Sequence, residues 1–130
     1  MLGKIHFFFG ILVVIIFVLT GQYMDLFYNH LQDMEPMQRA LFRTGHLYIL
    51  LFGLINASLG AYFKRPKNGV WSKIQLTGSS IILFSTCSII YSFFIELPSS
   101  DINRPIAAYS LYAILLGVVI HGIVHLFYKK

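Results

Sequence analysis

The sequence predicts an all-α integral membrane protein, a bundle of four transmembrane helices that cross the bilayer up, down, up and down. Of its 130 residues, 57% are hydrophobic and only 12% are charged, and the mean hydropathy is +0.72. A soluble domain averages roughly 25% charged residues. This composition excludes an ordinary soluble domain and predicts the lipid bilayer as the main partner of the chain.

Four segments are long and apolar enough to cross a bilayer as helices, which takes about 20 residues each. They cover residues 5–26, 37–63, 74–95 and 105–127. Each is expected to be helical, because an isolated strand in lipid would leave its backbone polar groups unpaired. The chain is too short to add a separate soluble domain, so residues 1–130 are expected to form one membrane domain.

The first segment begins like a secretory signal, with Lys4 ahead of an apolar run. The run continues to Gly21, however, and no small-residue cleavage site follows it. We therefore expect the first segment to be retained as a transmembrane helix.

The other three segments are bounded by residues typical of helix ends. Glu35 and Pro36 precede the second segment, a pattern that indicates a helix start. Pro66 lies in the polar loop before the third segment, where it favours a turn. Pro98 follows the third segment, and Pro105 suits the first turn of the fourth.

Basic residues are divided unevenly between the two ends of the predicted helices. The end with both termini has no acidic residue and seven basic ones: Lys4, Lys64, Arg65, Lys67, Lys73, Lys129 and Lys130. The opposite end has all five acidic residues, including Asp101, and the three arginines Arg39, Arg43 and Arg104. Cytoplasmic loops are enriched in Lys and Arg, so both termini are expected in the cytoplasm, in a membrane of the bacterial inner type. The net charge of +5 then suits anionic lipid headgroups and requires no nucleic acid partner.

Charged residues form one candidate cluster at the outer end. Arg39, Arg43 and His46 are spaced i, i+4 and i+7, so they share one stripe of the second segment. In an antiparallel bundle, Glu96 lies at the depth of Arg43 and is its expected charge partner, while Arg104 opens the fourth segment nearby. The cluster is either a structural ion-pair network or a site for a ligand or a proton, because ionisable groups within membranes are commonly functional.

Three histidines form a second candidate cluster at the inner end. His121 and His125 are four residues apart on one helix face, and His6 lies at about the same depth in the first segment. Such imidazoles can bind a metal or serve as axial ligands of haem iron, so haem b is the candidate cofactor. Alternatively, they are interfacial histidines that hydrogen-bond the backbone or headgroups. No H-E-x-x-H or C-x-x-C-H motif accompanies them.

The absence of several sequence motifs excludes some classes of function. No signature of covalent catalysis, phosphate binding or dinucleotide binding is present, and the single Cys87 excludes a disulfide relay, which needs a reactive pair. The leading hypothesis is a non-catalytic holder of a redox cofactor or an accessory subunit of a larger membrane complex. Two alternatives stay open. One is a small oligomeric carrier or channel for an anionic or metabolite ligand, using Arg43, His46 and Arg104, and the other is a purely structural membrane partner.

Overall fold

The computed structural model describes residues 1–64, 66, 69–99 and 102–128. All regular structure in these residues is helical: α1 (Leu2–Tyr28), a short 3₁₀ turn (Asn29–Leu31), α2 (Pro36–Tyr62), α3 (Gly69–Ile95) and α4 (Pro105–Phe127). Each of the four long helices is long and apolar enough to span a membrane. This confirms the predicted all-α class with four candidate transmembrane helices. Five charged residues used above to predict the orientation lie outside the described residues: Arg65, Lys67, Asp101, Lys129 and Lys130.

The ends of the helices follow from their terminal residues. Pro36 and Pro105 are the first residues of α2 and α4, where proline lacks only an N–H that would be unpaired anyway. Asn29 ends α1 in the left-handed region, at φ 46°, a conformation that asparagine tolerates better than most residues. α1 and α3 begin slightly earlier than predicted, at Leu2 and Gly69.

The backbones of α1 and α2 are in close contact at glycines. A Cβ atom on Gly10 would lie 2.3 Å from the backbone nitrogen of Ala57, and one on Gly60 would lie 2.3 Å from that of Phe7. Both distances are too short for a real side chain. Small residues allow such contact in membranes, where van der Waals packing must replace the hydrophobic driving force between helices.

α3 and α4 form a second closely packed pair of helices. A Cβ atom on Gly117 of α4 would lie 2.5 Å from Cγ1 of Ile82 in α3. α2 and α3 contact each other less extensively, partly through aromatic side chains such as Phe42 and Phe93, whose rings are 6.1 Å apart. The described helices therefore form two closely packed pairs, α1 with α2 and α3 with α4, joined through α2 and α3.

Polar side chains are buried beside an apolar core, and apolar side chains also cover much of the surface. The buried polar residues are His6, Thr20, Asn56, Gln75, Ser79, Ser85, Thr86, Ser92, Glu96, Ser110 and His121. Several hydroxyls among them donate to carbonyl groups of their own helix, as Ser85 does to Ile82 at 3.0 Å and Ser92 does to Ile89 at 3.1 Å. Large apolar side chains such as Phe84 are exposed. This distribution fits a chain surrounded by lipid, in which polar groups must find partners within the protein.

The close contact at Gly10 predicts that even a small side chain at this position destabilises the protein. Gly10→Ala should lower the free energy of unfolding by about 1–3 kcal/mol, because the added methyl group meets backbone atoms that cannot move independently of the helix. Gly122→Ala is the matched control, since no atom lies within 4 Å of a Cβ atom at that position. Thermal unfolding of the detergent-solubilised protein measures both. Equal stability of the two variants would contradict a close contact between α1 and α2.

Candidate functional site

A chain of hydrogen bonds crosses the interior from α1 through α2 to α3. Nδ1 of His6 lies 2.8 Å from Oδ1 of Asn56. Nδ2 of Asn56 donates to Oγ1 of Thr86 at 2.8 Å and to the carbonyl of Phe52 at 2.9 Å, and the Thr86 hydroxyl donates to the carbonyl of Ile82 at 2.7 Å. Because the amide N–H groups of Asn56 point at Thr86 and Phe52, its Oδ1 accepts from His6, which carries a proton on Nδ1.

The second ring nitrogen of His6, Nε2, is unusual because it is buried without a hydrogen-bond partner among the described residues. The His6 residue as a whole is fully buried. With the proton held on Nδ1, Nε2 carries the lone pair in the neutral imidazole. Imidazoles that bind metals have this arrangement, in which one nitrogen is the ligand and the other is anchored by a hydrogen bond.

His121 of α4 provides a second imidazole at the same place. Its ring centroid lies 6.3 Å from that of His6, with the rings nearly perpendicular at 85°, and its Nε2 lies 3.0 Å from Oγ of Ser79. The Phe63 ring lies 6.0 Å from His6 and 5.7 Å from His121. Two of the three histidines in the predicted inner cluster are therefore adjacent, beside an aromatic ring.

His125, the third histidine of that cluster, lies apart from the pair. Its side chain is exposed and borders a groove of about 560 Å³, which His121, Gln75 and Lys64 also line. Gln75 donates to the carbonyl of Lys64 at 3.2 Å, and its buried Oε1 has no hydrogen-bond partner in the described part of the chain. Over the same residues, no group of three or more His, Cys, Asp or Glu side chains is placed to hold a metal ion.

At the other end of the helices, in the cluster predicted to lie outside, Glu96 caps the start of α4. The backbone N–H groups of Ile106 and Ala107 donate to its Oε1 and Oε2 at 2.7 Å and 3.0 Å. These amides lie in the first turn of α4, where a helix has no internal acceptors for its N–H groups and where its dipole favours a negative charge. Glu96 is buried, so its carboxylate ties the end of α3 to the beginning of α4.

The expected pairing of Glu96 with Arg43 is not formed. The Arg43 side chain is exposed, and among the residues that the structure describes, the one ion pair joins His30 to Asp25 at 2.8 Å. The physical reason is that the α4 amides already satisfy both oxygens of Glu96 without any cation.

His46 is also separate from Glu96. Its Nδ1 lies 3.0 Å from Oγ1 of Thr20, and its ring stacks on Phe17 with centroids 4.1 Å apart. The Thr20 hydroxyl donates to the carbonyl of Phe17, so His46 donates to Thr20. The predicted outer cluster is thus divided into an exposed Arg43, a His46 packed on α1, and Glu96 with Arg104.

Arg104 directly precedes α4 and lines a groove of about 360 Å³ together with Glu96. Its Nε and Nη2 atoms are buried and have no hydrogen-bond partner among the described residues. Burial lowers the pKa of the Arg104 guanidinium, and the negative charge of Glu96 partly opposes that shift. The guanidinium stays charged at neutral pH, because arginine loses its proton only far above this range.

Three residues of the inner site do not belong to the cluster predicted from the sequence: Asn56, Ser79 and Thr86. For Asn56, the available signal was an amide within the largely apolar second half of α2. Which histidine that amide meets depends on the rotation of α1 against α2, and residue spacing within one helix does not define that rotation.

Comparison with known protein families, with curated protein sequences and with solved structures finds no match. Function is therefore inferred from the two sites of the chain itself. The site at His6 offers the lone pair of a buried imidazole, whereas the site at Glu96 and Arg104 offers two buried N–H donors of a partly buried guanidinium.

The capping role of Glu96 predicts that it acts independently of Arg43. Glu96→Gln should lower the free energy of unfolding by about 1 kcal/mol or more, because the cap loses its charge and one of its two acceptors. Arg43→Met should have little effect, and the double variant should show the sum of the two changes. The free energies of unfolding of the parent, the two single variants and the double variant, measured in detergent, form a double-mutant cycle. A coupling above about 0.5 kcal/mol would instead indicate that the two residues interact.

Proposed function

We propose that the chain is a small, non-catalytic membrane protein that holds a redox cofactor of the haem type at the His6–His121 site. The observation that carries the proposal is Nε2 of His6, which is buried, lacks a partner among the described residues, and is oriented by the hydrogen bond from Nδ1 to Asn56. Haem iron takes a neutral imidazole nitrogen of this kind as an axial ligand.

The number of available ligands favours haem over a bare metal ion. A structural metal ion such as zinc needs about four protein ligands, and the described residues contain no group of even three. Haem brings four nitrogens of its own, so one or two imidazoles suffice. In this proposal His6 would hold the iron through Nε2, Asn56 would fix the orientation of His6, and His121 would offer a second imidazole once its Nε2 leaves Ser79.

The surroundings of the two histidines suit a large apolar cofactor. The groove of about 560 Å³ at His121 is also bordered by Phe63, whose ring lies 6.0 Å from that of His6, and by Leu59 and Val118. When bound, haem supplies one-electron chemistry. Because electrons must be passed to another protein, we also propose that the chain is an accessory subunit of a larger membrane complex.

The proposed arrangement in the membrane is up-down-up-down with both termini in the cytoplasm. Contacts support the alternation: Gly10 meets Ala57 while Thr20 meets His46, and Ser79 meets His121 while Glu96 meets Ile106. The division of Lys and Arg between the two ends supports the orientation. The membrane is then of the bacterial inner type.

A reporter that is active only in the cytoplasm should therefore work when fused to either terminus, and one that is active only after export should fail at both. A reporter placed in the 32–35 segment should show the opposite pattern. Export of the C-terminal reporter would contradict the proposed orientation.

The cofactor is tested by the absorption spectrum and metal content of protein purified from its native membrane. The parent should contain iron and should show the sharp absorption band of a haem protein near the blue edge of the visible spectrum. His6→Ala should abolish it, and Asn56→Leu should weaken cofactor affinity by about 10–100-fold through loss of the anchoring hydrogen bond.

His30→Ala is the control, because His30 is exposed at the other end of α1. It should keep the band at full strength. A colourless parent without iron, or a band that persists in His6→Ala, would overturn the proposal.

A further inference from the structure

An open groove lies between α2 and α4 next to Glu96 and Arg104. It measures about 360 Å³, and its apolar walls include Leu41, Tyr48 and Leu111. A second cavity of about 340 Å³, with Ile55 and Val118 in its lining, lies farther along the same two helices. The two spaces together follow the direction of the helices, as an alkyl chain in a bilayer does.

Arg104 marks the outer end of this groove. Its Nε and Nη2 atoms are buried and without a hydrogen-bond partner in the described part of the chain. Leaving charged donors unpaired in a buried place is costly, and a guanidinium offers parallel N–H groups that match a carboxylate or phosphate. The missing acceptor is therefore an oxyanion.

Glu96 lines the same groove but does not supply that acceptor. Both of its oxygens accept from the α4 backbone, and no ion pair within 4.0 Å joins it to Arg104 among the described residues. The first turn of α4 thus compensates the charge of Glu96, which leaves the charge of Arg104 available to a ligand.

We propose that this groove binds an anionic amphiphile, with its oxyanion headgroup at Arg104 and its alkyl chain between α2 and α4. The headgroup position at Arg104 is separate from the inner histidines, whereas the far cavity on the path of the alkyl chain is lined by His121. The groove also differs from the cluster expected from the sequence, because Arg43 and His46 do not line it.

The test measures thermal unfolding of the protein in a neutral detergent. Dioleoylphosphatidylglycerol should raise the unfolding temperature in a saturable manner, whereas dioleoylglycerol, with the same chains and no phosphate, and inorganic phosphate, with no chains, should not. Arg104→Gln should weaken the apparent affinity for dioleoylphosphatidylglycerol by about tenfold or more. Arg43→Gln, which removes an exposed arginine at the same end, should leave the affinity unchanged.

Three outcomes would overturn the proposal. Equal stabilisation by dioleoylglycerol would show that the chains bind without the headgroup, and equal stabilisation by inorganic phosphate would show a site for a free ion. Unchanged affinity in Arg104→Gln would remove the proposed contact. If that variant does not fold, Ala108→Leu fills the groove from an exposed position and leaves Arg104 in place. It should weaken binding, and full binding by this variant would equally overturn the proposal.

Discussion

The backbone contact of α1 with α2 is the constraint on which the interior depends. Gly10 lies one turn after His6, and Gly60 lies one turn after Asn56, so the close approach of the two helices brings the imidazole within 2.8 Å of the amide. A side chain at Gly10 would separate the helices and leave both polar groups without each other. In an apolar environment, each unsatisfied group costs several kcal/mol. The glycines therefore determine the packing of these helices and also the geometry of the inner site.

The helices were the predictable part of the structure. Apolar segments of suitable length predict α1 to α4 directly, because hydrocarbon allows few alternatives to a helix. Pro36 and Pro105 even define two of the starts. The starts of α1 and α3 were placed too late, since their first turns contain Lys4 and Lys73 with other interfacial residues that lower the local hydropathy without preventing a helix.

The side-chain contacts were less predictable, because depth in the membrane does not define direction around a helix axis. Matching depth places His6 with His125 and so predicts a cluster of three histidines, but the ring that lies next to His6 is that of His121, one turn earlier in α4. Matching depth also suggested that Glu96 pairs with Arg43, although Arg43 is exposed and Glu96 accepts from α4. The competing partners of Glu96 were backbone amides, which exist at the start of every helix and leave no mark in the sequence.

The position of Glu96 also has a consequence for the order in which contacts form during synthesis of the chain. During synthesis α3 is completed before α4, and at that stage the carboxylate at its end has none of the donors that it uses in the folded protein. The amides of Ile106 and Ala107 become available only about ten residues later. Until then Glu96 depends on other hydrogen-bond donors, such as water. Glu96 therefore acquires its native partners only when the first turn of α4 has formed beside the end of α3.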